Sequence, residues 1–311
     1  MKLKTIWPED GAKVLKVLGM TEATVKADVA SLKDWLRKQP HLGPLSGVNE
    51  DKWLKNYLML NKNSVERCKA NLDVYFTLRW IMPEVFQDRD MKCDTMNRSF
   101  DNTCIAFMPG LTAEGHRVVV YSHFTPDPTD FVLQDMARRL LAIADLGMCE
   151  GVDRAGDIII MDLLHTRVAH LAKYSLNMVR NMFQYAWKAY PERVAAIHIV
   201  NPPHVMEMAL NIFRPFVKQK IFDRIQIHSN IECLKEHISL DLLPSDYGGH
   251  GPSCKEMNKA WQNKMIDCRD LLNTVASHKS NESLRPDVRK HVDSWTTDLG
   301  MNGSFRKLSL D

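Results

Sequence analysis

The sequence is short of the signals that announce most α/β chemistry. Seven cysteines (Cys68, Cys93, Cys104, Cys149, Cys233, Cys254 and Cys268) are scattered, odd in number and never spaced as CxxC, which argues against a zinc knuckle or a redox pair and for reduced thiols. No G-x-S-x-G elbow occurs, and Gly249-His250-Gly251-Pro252-Ser253 does not fit one. Neither G-x-G-x-x-G nor a Walker A run is present, so the two commonest nucleotide sites of parallel sheets lack support. His165, His170, His198 and His204 do not fall at metal-ligand spacing with one another. From these gaps no catalytic residue, metal or cofactor is expected.

A strong charge excess is also missing. The net charge is +3 over 311 residues, too small for a dedicated nucleic-acid binder but compatible with a local basic patch that meets an anionic surface. No apolar run approaches the length of a membrane span, and the start, MKLKTIWPEDGAK, lacks the apolar stretch of a signal peptide. The expectation is a monomeric cytoplasmic protein whose membrane contact is peripheral and transient, endosomes being one candidate membrane.

What is present divides in two. From Glu22 to Phe86 the pattern is helical: Val25 to Arg37, then a helix started by Asn49-Glu50-Asp51, then one capped by Ser64 and ended by Pro83. From about Asn102 strands alternate with helices. The strand runs are Val118–Tyr121, Asp157–Asp162, Val194–Val200 and Ile225–His228, with helices expected at Asp130–Leu146, Val168–Tyr190 and Pro203–Phe213. Nearly continuous apolar strands in this order predict an α/β fold with a mainly parallel sheet covered by helices. Domain bounds are expected at 1–90, 91–253 and 254–311, the last a helix and tail. His198, inside a strand, reads as a hydrogen-bonded core residue, and Asp162 as a cap for the turn it precedes.

One segment is unusual. Asn201-Pro202-Pro203 reads as a helix start, and Val205, Met206, Met208, Ala209, Leu210, Ile212, Phe213, Phe216 and Val217 leave little polar surface after it. Such a helix is either buried on both sides or meets something apolar that the sequence does not contain. Directly behind it, Arg214, Lys218, Lys220 and Arg224 bunch together. Lys220 and Arg224 would repel on one helical face, either as a solvated basic surface or around an anion.

These stretches resemble a known family. Tyr190-Pro191-Glu192-Arg193 running through Ile197-His198-Ile199-Val200-Asn201-Pro202-Pro203, then Ile212-Phe213-Arg214-Pro215-Phe216, and then Leu243-Pro244-Ser245-Asp246-Tyr247-Gly248-Gly249 are similar to CRAL-TRIO signatures. Tyr75, Arg79, Pro83 and Glu84 resemble the family's N-terminal helical domain, and Gly303 to Leu308 resemble the tail of insect α-tocopherol-transfer-protein-like members. The resemblance implies a CRAL-TRIO lipid-binding domain with a gate helix, here Pro203–Phe216, preceded by a small all-helical domain. It implies a hydrophobic small-molecule or lipid ligand, such as a tocopherol, retinoid, carotenoid or phospholipid. The cavity would be walled by Phe124, Met161, Leu163, Met178, Met182, Tyr185, Val205, Met208, Ile212, Phe213 and Phe216.

In the tocopherol and retinaldehyde branch a basic cleft beside the gate takes phosphoinositide headgroups, and Arg193, Lys220 and Arg224 match three of its positions. The branch's further arginine is replaced here by Asn61, with Lys62 beside it. Transfer of the ligand between membranes is the role this implies. A phosphoinositide-dependent adaptor of endosomal trafficking is the competing reading, and an unrecognised hydrolase a remote third.

Overall fold

A computed structural model describes residues 15–87, 89–151, 154–204 and 206–286, without the side chains of Leu176, Met208, Ala209 and Ile212. Val205 and the Gly303–Leu308 tail, both invoked above, lie outside the described residues.

The N-terminal part is helical, as its periodicity requires. Helices α1 (Glu22–Arg37), α2 (Glu50–Leu60) and α3 (Val65–Ile81) each start on a side chain that accepts a backbone N–H, from Thr21, Asn49 and Ser64 respectively. Pro83 does end α3, but it also opens a short helix, α4 (Pro83–Phe86), because proline loses nothing at the first helical position. Trp53, Tyr57, Tyr75 and Phe76 are fully buried and stack edge-on or face-on, so this lobe has its own aromatic core.

Helix α5 (Asp94–Asn102) leads into the sheet: β1 (Thr103–Phe107), β2 (His116–His123), α6 (Leu133–Glu150), β3 (Gly156–Asp162), α7 (Val168–Leu171), α8 (Leu176–Asn181), α9 (Trp187–Ala189), β4 (Val194–Val200), α10 (Met206–Phe213), α11 (Gln219–Phe222) and β5 (Ile225–Ile227). Strand order is β1-β2-β3-β4-β5; β1 is antiparallel to β2 and the other pairs are parallel. The sheet is therefore mixed but mainly parallel. Strand β1 has no counterpart in the sequence reading; five residues at an antiparallel edge carry too little pattern to stand out beside a helix end.

Alternation along the central strands sorts the two faces. Ile159 and Met161 of β3 and Ile197 and Ile199 of β4 join the cluster that includes Met206 of α10, whereas Ile158, Ile160 and Val200 join the opposite core under α12 (Cys254–Asp267). The expected Val168–Tyr190 helix is broken: α8 passes into a π turn at Met182–Ala186 before α9. A π turn inserts a residue into the ladder and re-aims the side chains after it.

The domains are clamped by a buried charge network. Asp145 of α6 accepts from Arg79 Nη2 at 2.7 Å, from Arg89 Nη1 at 2.5 Å and from the Tyr190 hydroxyl at 2.7 Å. Arg79 also donates to the carbonyls of Tyr75 and of Val275, the latter in α13 (Arg269–Ala276), and lies 3.7 Å from the Tyr75 ring centre. Burial alone would raise the Asp145 carboxyl; the charges of Arg79 and Arg89 and the hydrogen bonds from Tyr190 and Arg89 outweigh it and hold the group below the ordinary carboxylate range. The Tyr75/Arg79 and Tyr190 signatures thus meet at one carboxylate.

Candidate functional site: a basic cleft beside a short apolar helix

A cleft of about 670 Å³ opens at the N-terminal ends of β2, β3 and β4, where the helical lobe meets the sheet. It takes Lys62 from the turn after α2, Arg193 from the loop before β4, Lys220 from α11 and Arg224 just beyond α11. The four basic positions singled out in the sequence come from three distant segments and converge here. Arg67, Lys188 and Lys218 line the same cleft. Arg67 and Lys188 were missed because each sits in a helix where a single cation has no distinguishing pattern; their contribution is visible only once the helices are placed.

Among the described residues no ion pair under 4.0 Å involves any of these seven cations. Glu192 lines the cleft but is already engaged by Arg154, together with Asp157. The consequence is repulsion. Partial desolvation, then the charges of Lys220, Arg193, Arg67 and Arg224, lower the Lys62 ammonium from its ordinary value. Burial, then Lys220, Lys188 and Arg67, do the same to Lys218.

Local backbone explains how the cations are presented. Lys62 and Asn63 are both left-handed, at φ 59° and 55°, a conformation that costs free energy in non-glycine residues and swings Lys62 off the end of α2. Asn61 is fully buried instead: its amide donates to the Tyr57 carbonyl and its oxygen accepts from Asn71. The position matched to a family arginine therefore serves the helix end, and the neighbouring lysine reaches the cleft. Arg193 Nη2 donates to the Met59 carbonyl in the last turn of α2, at 2.9 Å, where the helix dipole favours a cation. Gly156 permits this crowding, since a Cβ there would lie 2.7 Å from the Arg193 carbonyl oxygen. Arg224 donates to the Val194 carbonyl, which pins α11 to the start of β4.

The expected gate is shorter and less uniformly apolar than its sequence suggested. It is helical from Met206 to Phe213, not from Pro203 to Phe216, and Asn201 does not cap it. Asn201 is left-handed at φ 51° and donates to Asp162, which also accepts from the Leu164 N–H as a turn cap and from the Tyr247 hydroxyl. Glu207, Asn211 and Arg214 recur at helical spacing and are exposed, giving the helix a narrow polar edge. Lys220 and Arg224 do not share a helical face, because α11 stops at Phe222. Met206 packs on the sheet face made by Leu163, Ile197 and Ile199, while Phe213 meets the Tyr174 ring edge-on at 6.0 Å.

The proposed cavity wall is dispersed over separate packing clusters. Leu163 and Met161 sit under α10; Met178, Met182, Tyr185, Phe213 and Phe216 pack with the helical lobe's core; Phe124 packs with the opposite core. Met178 also lines a second pocket of about 360 Å³ with Phe131, Leu133, Lys173 and Asn181, and Phe216 lines the basic cleft. Among the described residues no helix is long and apolar enough to cross a membrane.

The Leu243–Gly249 signature has a backbone cause. Gly249 passes so close to Leu243 that a Cβ would lie 1.9 Å from its carbonyl oxygen, and Gly248 is left-handed at φ 74°. The turn lets Tyr247 reach Asp162 while Asp246 accepts from the first N–H of α12. His198 is buried and hydrogen-bonded to His228.

Residues 101–249 match the family model for the CRAL/TRIO domain, and residues 21–96 that for the Pinta-like UBA domain. The alpha-tocopherol transfer protein-like protein of Homo sapiens is 25% identical over 225 residues, 71% of this chain and 64% of that protein. The chain thus spans a little under two thirds of the length of those relatives. Clavesin-2 of Mus musculus is 24% identical over 248 residues, 79% of this chain and 75% of that protein. The crystal structure of Sfh5 covers 85% of this chain and 99% of that one at 14% identity, with a TM-score of 0.46.

Proposed function

We propose that this chain, a CRAL/TRIO-domain protein with a Pinta-like UBA domain in front, holds a hydrophobic lipid beneath α10 and exchanges it at membranes that its basic cleft recognises through phosphoinositide headgroups. The observation that carries the reading is the cleft: seven cations converge on it and, among the described residues, no carboxylate within it is left to neutralise them. A headgroup carrying several phosphates would remove that repulsion, and arginine and lysine are suited to bind it. Phe216 lines the same cleft and lies three residues beyond the end of α10, so the cleft and the expected gate adjoin along the chain. The bilayer supplies the apolar surroundings a released ligand needs, while inside the protein burial at about 25 cal/mol per Å² holds it. The working location is the cytoplasm with transient membrane association.

The test is vesicle flotation with Lys220→Ala/Arg224→Ala. Two cations near an anionic surface are worth about 1 kcal/mol each, so binding to phosphoinositide vesicles should fall about thirtyfold. Unchanged binding at low salt would sink the headgroup assignment. Native mass spectrometry of the protein from its own tissue addresses the cargo: a defined co-purifying lipid is expected, and its consistent absence would favour an adaptor that no longer exchanges ligand.

A further inference from the structure

His165, His170, His198 and His204 are not at metal-ligand spacing with one another in the sequence. The fold brings together a different set. His198 comes from β4, His228 from the residue after β5, and His237 from the end of the 3-10 helix at Ile231–Glu236. One ring nitrogen from each lies within 4.8 Å of the others, and His198 Nδ1 is 2.9 Å from His228 Nε2. The ring centres are 4.9 to 5.3 Å apart. We propose that His198, His228 and His237 form a binding site for a late first-row divalent ion, zinc above all, with water completing the shell.

The geometry is close to what coordination needs. Four ligands around zinc at about 2.0–2.1 Å leave neighbouring nitrogens roughly 3.3 Å apart, between the 2.9 Å contact and the 4.8 Å limit. His198 is buried and fixed by its strand, His228 is half-buried, and His237 is exposed and has room to close in. A hydrogen-bonded pair would satisfy His198 and His228 alone; it does not explain a third imidazole against both. Three imidazoles with no thiolate suit zinc, copper or nickel rather than calcium or magnesium.

The site is separate from the cleft and from α10. The cleft lies at the strand beginnings, whereas His198 alternates with Ile197 and Ile199 and so points away from the gate-side cluster. An ion here would tie β5, a three-residue edge strand, to β4 and to the segment that leads into the Leu243–Gly249 turn.

The full chain titrated with Co²⁺ and then challenged with Zn²⁺ tests the site. Expected are visible d–d absorption of a nitrogen-ligated ion without a thiolate charge-transfer band, displacement by zinc, and a zinc-dependent rise in Tm. His237→Gln, at an exposed position, should keep the fold by circular dichroism and lower metal affinity at least about tenfold, as should His228→Gln, whereas the exposed His204→Gln should not. A thiolate band, no zinc binding at micromolar concentration, or wild-type affinity in both His237→Gln and His228→Gln would overturn the proposal.

Discussion

Two clusters of cations lie between the helical lobe and the α/β domain, and they are built on opposite principles. At Asp145 the arginines are fully buried, and one carboxylate and a tyrosine hydroxyl answer them. At the cleft, seven cations share a partly open space and answer one another with repulsion. A buried charge without a partner costs several kcal/mol, so the interior group has to be complete within the chain. A solvated group is under no such obligation and can wait for its counter-ion. The same residue types therefore hold the fold in one place and leave an unneutralised positive cleft in the other.

Breaking the interior group should have the largest effect. Asp145→Asn leaves Arg79 and Arg89 facing each other without a carboxylate and should lower stability by roughly 3–5 kcal/mol in urea unfolding. A loss under about 1 kcal/mol would erase the contrast. The pH dependence follows from the direction of the Asp145 shift. Its folded value lies below the ordinary carboxylate pKa of about 3.9, so its stabilisation is complete above that value and is lost as the pH falls towards the folded one. The urea midpoint of the wild type should thus drop below about pH 4, and that component of the acid slope should be missing in Asp145→Asn.

The reverse experiment sharpens the comparison. Lys220→Ala/Arg224→Ala, which should weaken vesicle binding, should lower stability by only about 1–1.5 kcal/mol, the loss of the Arg224 hydrogen bond to the Val194 carbonyl, far less than Asp145→Asn. Raising salt from about 0.1 M to about 1 M shortens the Debye length from about 10 Å to about 3 Å; vesicle binding should collapse while Tm hardly moves. The smallest effect is at Lys62. An anion in the cleft reverses the repulsion that lowers its pKa, so NMR titration of the Lys62 ammonium should show an upward shift with inositol phosphate present.

Much of this architecture is legible from the residues. The caps Asn49 and Ser64, the apolar runs of β2 to β5 and the Leu243–Gly249 turn all carry local signals, because capping and alternation are decided within a few residues. The cleft was half legible: Lys62, Arg193, Lys220 and Arg224 stood in recognisable segments, while Arg67 and Lys188 did not. The apolar wall was the least legible part. The resemblance places Phe124, Met161 and Tyr185 in one wall, but no local pattern says which side of the sheet or which cluster receives them.

By itself, then, the sequence determined the order of helices and strands, the glycines at tight backbone approaches and the surplus of cations around Lys220. Only the tertiary structure decided which charges are neutralised. Asp145 lies 66 positions from Arg79 and 56 from Arg89, and His198 lies 30 from His228. Pairings at such separations depend on how helices cross and which face of a strand is covered, and no local pattern encodes either. The cations of the cleft are distinguished from those at Asp145 by their burial and by what the fold brings opposite them.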